Sequence, residues 1–145
     1  MHNMKLKNQG GSSAVEFAIV LPILVLLVFG IIEFGLLLYD KAVITNASRE
    51  GARVGIVYRA DPTTGDYIPL TEGEITNVVT NYLSNHLVTF GTPSPANILP
   101  DQCQDSGDLL TVTVQYHYDF LVIPNFITNL TGGINLGAET VMRCE

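Results

Sequence analysis

Two carboxylates stand where an apolar environment would resist them. Glu16, in the stretch GGSSAVEFA, opens a run that stays apolar from Phe17 to Tyr39, and Glu33 is the one charged residue inside that run. An ionised carboxylate at the centre of a membrane helix costs about 2.5 to 3.5 kcal/mol on insertion scales, so each needs a partner, a proton or a route to water. For Glu33 the choices are a protonated or snorkelling side chain near the interface, or a hydrogen bond to a polar group on a neighbouring helix in an assembly. For Glu16 the residues alone give a first-turn carboxylate favoured by the helix dipole. Cys103 and Cys144 are the other reactive pair. In an exported domain an even cysteine pair reads as one disulfide, and in a reducing cytoplasm as two free thiols.

Other catalytic or ligand chemistry finds little support. His2, His86 and His117 are far apart and belong to different predicted elements, and Asp101, Asp105 and Asp108 in DQCQDSGD do not follow the oxygen spacing of an EF-hand loop. The sequence contains no G-x-S-x-G elbow, phosphate-cradling glycine loop or H-E-x-x-H helix. The expectation is a non-enzyme without cofactor, metal or small-molecule substrate. With 14 acidic against 7 basic residues the formal net charge is -7, which argues against nucleic acid, since that partner needs a basic face.

The elements that carry these residues follow from periodicity. At 1.5 Å per residue a helix over 17–39 reaches roughly 34 Å, enough to cross a hydrocarbon core about 30 Å thick. A secretory signal is the competing reading, since Lys5 and Lys7 precede the run, but an h-region is shorter and ends at a small-x-small site. The lysine and arginine count does not by itself place the amino end inside, with Lys41, Arg49, Arg53 and Arg59 on the carboxyl side. The short polar leader and the cysteine pair favour an inside amino end and an exported head. Beyond Tyr39 no proline occurs until Pro62, so the helix continues, and Ala47, Gly51 and Gly55 recur every fourth residue on one face. Such a stripe suits close helix packing in a membrane or contact with the chain's own sheet. Alternatively, Gly51 or Gly55 ends the helix.

Thr71 and Glu74 make a capping box ahead of an amphipathic helix whose apolar residues Ile75, Val78, Val79, Tyr82, Leu83 and Leu87 are spaced by threes and fours; it should lie on a sheet. Leu110 to Tyr118 alternates over nine residues and predicts a strand with one buried and one wet face. LGAETVMRCE reads as another strand, and PANILPDQC as a short edge strand broken by Pro100. The expected fold is α+β, divided into a leader over 1–11, a long hydrophobic helix over 12–59 and a head over 60–145.

The stretch GSSAVEFAIVLPILVLLVFGIIEFGLLLYDKAVITNASREGARVGIVYR, with its A-V-E-F entry, Leu21-Pro22, Glu33-Phe34-Gly35 and A-S-R-E-G-A-R at 47–53, resembles the TadE-like family of tight-adherence (Flp) pilus assembly proteins. GGSSAVEFA itself resembles a type IV prepilin-like processing site. The resemblance covers about a third of the chain and no motif of the head. It implies a single-pass pseudopilin of the bacterial inner membrane, cytoplasmic at its amino end and periplasmic in its head. It further implies cleavage by prepilin peptidase after Gly11, a new amino terminus at Ser12, and Glu16 pairing with a neighbouring subunit's terminal amine. The implied partners are other pilin or pseudopilin subunits and the Tad membrane platform. The long chain after Arg59 favours an assembly or minor subunit over the bulk subunit of the fibre, with incorporation into the pilus the second choice. The alternative is a membrane-anchored extracytoplasmic binding module in which Gly11 and Glu16 are incidental. A small anchored hydrolase is disfavoured by the missing nucleophile and base.

Overall fold

The computed structural model describes residues 10–89, 94–120 and 132–145; the predicted leader, with His2, Lys5 and Lys7, lies outside them except for its last two residues. Helix α1 runs Gly10–Gly55 without interruption, with Pro22 inside it, as membrane helices tolerate. Two short strands, β1 (Arg59–Ala60) and β2 (Tyr67–Ile68), follow. Helix α2 is Glu72–His86, and strands β3 (Asn97–Pro100), β4 (Leu109–Tyr118) and β5 (Ile134–Arg143) follow among the described residues. The fold is α+β, with an antiparallel sheet in the order β3-β4-β5.

Helix α1 ends before Arg59 because the chain is taken into the β1–β2 hairpin, where Arg59 pairs with Ile68 and Ala60 with Tyr67. The hairpin turn is held by Asp61, whose carboxylate accepts from the Thr63 amide at 2.7 Å, and by Gly65 at φ +78°, a conformation glycine adopts without a Cβ clash. The predicted capping box is present: the Thr71 hydroxyl accepts from the Glu74 amide, and the Glu74 carboxylate accepts from the Thr71 amide at 2.9 Å. Pro100 closes β3 at the sheet edge, where a missing amide leaves no ladder bond unmade.

The carboxyl half of α1 is a layer of the head. Val43, Ile44, Ala47, Ser48, Gly51 and Ala52 are buried, facing the apolar side of β4, where Leu110, Val112, Val114, Tyr116 and Tyr118 alternate inward. The Ser48 and Thr140 hydroxyls meet at 2.8 Å and the Lys41 ammonium donates to the Gly137 carbonyl, tying α1 to β5. Helix α2 packs on the sheet along β3, as expected, and more extensively against α1, burying Ile75, Val79 and Leu83. The small residues of α1 let the long helix approach the sheet closely, and α2 covers the flank beside it.

The stripe of Ala47, Gly51 and Gly55 therefore receives the chain's own head. A Cβ on Gly51 would stand 2.5 Å from Val79 Cγ2 and 3.4 Å from Val112 Cγ1; one on Gly55 would stand 2.8 Å from Leu110 Cδ2 and 2.9 Å from Ile75 Cδ1. The two positions differ in what can yield. Val79 is β-branched and has essentially one χ1 rotamer in a helix, whereas the ends of Leu110 and Ile75 can turn aside. Gly51→Ala is expected to destabilise the head by about 1 to 3 kcal/mol despite alanine's better helix propensity, and Gly55→Ala to cost clearly less. Thermal unfolding of the two full-length variants in detergent checks the order; a more stable Gly51→Ala protein would refute the close contact.

Candidate processing and assembly site

Helix α1 already includes Gly10 and Gly11, and Gly11 is exposed with open space where a side chain would be. Glu16 is exposed on the same helix. No acidic residue falls in the first turn of α1, so the first-turn reading of Glu16 does not hold here: the helix begins at Gly10 and places Glu16 a turn further along. A chain beginning at Ser12 would bring Glu16 back towards the positive end of the helix dipole.

Glu33 is placed differently from either sequence reading. It is only 3% exposed, and its Oε1 accepts a hydrogen bond from the Tyr118 hydroxyl at 2.6 Å. The head thus reaches down α1 into the stretch expected to lie in the membrane and supplies Glu33 with a partner from its own chain. Burial, and next the hydrogen bond to Glu33, push the Tyr118 phenol well above its ordinary pKa. Two turns further up the same face Asp40 is fully buried. Its Oδ1 accepts from the Val88 amide at 3.1 Å, and its Oδ2 has no partner among the described residues. Burial raises the Asp40 carboxyl pKa, and the Val88 bond opposes that rise. Asp40 and Tyr118 are the site residues that sequence reasoning missed. The signal for Asp40 was its position seven residues after Glu33, on one helical face with Leu37, Ile44 and Gly51.

Cys103 and Cys144 form a disulfide with Cα atoms 6.0 Å apart. It joins the segments that follow β3 and β5. The Gly107 amide donates to the Cys144 carbonyl at 2.9 Å and the Cys144 amide to the Asp108 carbonyl at 2.8 Å. The bond lies against the end of α1, since the Glu145 amide donates to the Ile56 carbonyl at 3.3 Å. In the chain-entropy picture a loop of 41 residues gives about 4 kcal/mol.

The histidines occupy separate places. The Nδ1 of His86 lies 2.7 Å from the Tyr82 carbonyl, and that of His117 lies 2.7 Å from Asn135 Oδ1. Among the described residues no three His, Cys, Asp or Glu side chains come together as metal ligands.

Among the described residues one helix is long and apolar enough to cross a membrane: α1 holds an 18-residue window with a mean hydropathy of 2.9, none of it buried by the described head. That window, the glycine at its entrance and the Glu33 turn fall in one continuous segment. Residues 11–53 match the TadE-like protein family model. The TadE-like segment begins at Gly11 and ends inside the head, so it takes in Glu16, Glu33, Asp40 and the packing residues Ala47 and Gly51. No curated protein and no solved structure matches the chain.

Two variants test the junction. Tyr118→Phe removes a donor from a buried carboxylate and should cost about 1 to 3 kcal/mol; unchanged unfolding of the full chain in detergent would show that the bond contributes nothing. Asp40→Asn tests burial of charge. A carboxyl whose folded pKa is raised stabilises the fold below the ordinary carboxylate pKa and loses that stabilisation as pH rises through the folded value. The asparagine variant should therefore unfold at a higher temperature than the parent at pH 7, the gap closing as the pH falls below about 4. A gap independent of pH would contradict it.

Proposed function

We propose that this chain is a minor pilin-like subunit of Flp-type tight-adherence pilus assembly, anchored in a bacterial inner membrane with its amino end in the cytoplasm and its head outside. The observation that carries this reading is the TadE-like match over residues 11–53, which starts at the glycine of a prepilin-like entry and continues through a membrane-length helix. The role is structural and associative rather than catalytic.

Prepilin peptidase cuts after Gly11 and leaves Ser12 as the new amino terminus. Glu16 then lies four residues from an ammonium group on its own chain, within reach of the ammonium of an adjacent subunit. In a region where neither charge is well solvated, pairing removes most of the desolvation cost of both and sets the register of neighbouring helices. The head, with its disulfide, keeps its shape in an oxidising compartment. Partners are other pilin-like subunits and the Tad membrane platform.

Coexpression of the full chain with a prepilin peptidase should remove residues 1–11, as read by intact mass and amino-terminal sequencing. Only full-length protein, or a cut near Tyr39, would favour the plain anchored module in which Gly11 and Glu16 have no assembly role.

A further inference from the structure

The outward face of the sheet carries a groove of about 470 Å³ that crosses all three strands. The pairing register builds it in two rows. Asn97 of β3, Gln115 of β4 and Gly137 of β5 stand side by side in one row, and His117 faces Asn135 in the next. Strands about 4.8 Å apart and rows about 7 Å apart frame the footprint of one sugar ring with its substituents. Gly137 makes the depth. Its position is exposed and a Cβ there would meet nothing within 4 Å, and a glycine inside a strand suits a place where a ligand comes close to the backbone.

The side chains around that space are held and uncharged. The Asn97 amide donates to Gln115 Oε1 at 3.4 Å, which leaves Asn97 Oδ1 to accept and the Gln115 amide to donate. His117 Nδ1 lies 2.7 Å from Asn135 Oδ1, which leaves the Asn135 amide to donate. The imidazole is seated against Gly133, where a Cβ would stand 2.6 Å from His117 Nε2 and where φ is +83°, a conformation open to glycine. No Lys, Arg, Asp or Glu lines the groove among the described residues. At its margins Asp119 lies 3.4 Å from His117 Nε2 and Glu139 follows Gly137 on the same face, which disfavours an anion, while the Lys41 ammonium is taken up by the Gly137 carbonyl.

Amides that offer donors and acceptors together, without charge, match groups that also do both: hydroxyl and acetamido. The exposed ring of Pro95, beside Asn97 in the groove, offers an apolar rest for an acetamido methyl. An extended peptide would dock through its backbone at a sheet edge, whereas this groove lies on the sheet's face. We propose that it binds a neutral, N-acetylated sugar of a glycan strand, with Asn97 and Gln115 on the acetamido group and Asn135 and His117 on ring hydroxyls. The site is separate from the pilin-like reading and needs neither cleavage after Gly11 nor a second copy. Because the ligand is uncharged, added salt leaves the affinity unchanged.

The test titrates the full chain, in a detergent without a sugar headgroup, with tri-N-acetylchitotriose by isothermal calorimetry. Saturable binding is expected. Cellotriose, which has the hydroxyls without the acetamido groups, and N-acetyltriglycine amide, which has the amides without the hydroxyls, should each bind roughly tenfold more weakly, the worth of one or two hydrogen bonds. Gly137→Val fills the open space with a residue that suits a strand, so it should weaken binding by roughly tenfold without lowering the unfolding temperature. Gln115→Ala, at an exposed side chain, should weaken it by roughly fivefold, and decides alone if Gly137→Val unfolds. No binding of the chitotriose, equal or tighter binding of either comparison ligand, or an affinity that a folded variant leaves unchanged overturns the site. Any of these leaves the pilin-like reading standing, since that reading is decided by the amino terminus and not by this groove.

Discussion

The small stripe Ala47–Gly51–Gly55 on the head-facing side of α1 is the constraint on which the head depends. Gly51 sits where any Cβ would overlap Val79, and Ala47 is fully buried on the same face. A glycine in a helix interior, as Gly51 is, costs about 0.5 to 1 kcal/mol relative to alanine. That cost is recovered in contact: β4 and α2 approach the helix axis closely enough to bury Leu110, Val112, Ile75 and Val79 together. Without that approach the three-stranded sheet would have an uncovered apolar face and α2 nothing to lie on.

Helix α1 also meets two solvents. Over residues 17–32 every side is exposed and apolar; along its carboxyl half one side is the core of a domain. The seam falls at Glu33. A carboxylate there is tolerable because Tyr118 donates to it and the head excludes lipid and water from it. Asp40 marks the same seam higher up, bonded to Val88 just beyond α2. Both acids are buried by the head on one face of α1, and each is bonded to a group from a distant part of the chain.

Much of the fold was legible from local pattern. The alternation from Leu110 to Tyr118, the Thr71–Glu74 capping box and the four-residue spacing of Ala47, Gly51 and Gly55 are short-range signals, and each appears in the structure where its period places it. What could not be read were contacts between distant segments. The Glu33–Tyr118 bond joins residues 85 positions apart, and a glutamate in an apolar run has the same local sequence whether it faces lipid, another helix or its own head. The packing of α2 was legible only in part for a related reason. Its amphipathic stripe placed it on the sheet, which it touches along β3, but not against α1, which covers more of it.

The one-sided cover has a consequence for how α1 sits in a bilayer. On the face that carries Glu33, Leu37 and Asp40 the free apolar length runs from Phe17 only to Ile32, roughly 24 Å at 1.5 Å per residue. On the opposite face Phe34, Leu38 and Tyr39 remain exposed, so the free length is about 10 Å greater. A helix about 10 Å across with that difference between its faces has an oblique boundary. A planar bilayer surface meets such a boundary only if the helix tilts, and the direction follows from the geometry: the face submerged further must be the underside. In a bilayer α1 would lean away from its head: a difference of about 10 Å across a helix about 10 Å wide corresponds to roughly 45°, at the upper end of the tilts membrane helices adopt. Glu16 and Glu33, about 26 Å apart along the helix axis, would then lie near opposite faces of the hydrocarbon, so that neither carboxylate stands at its centre.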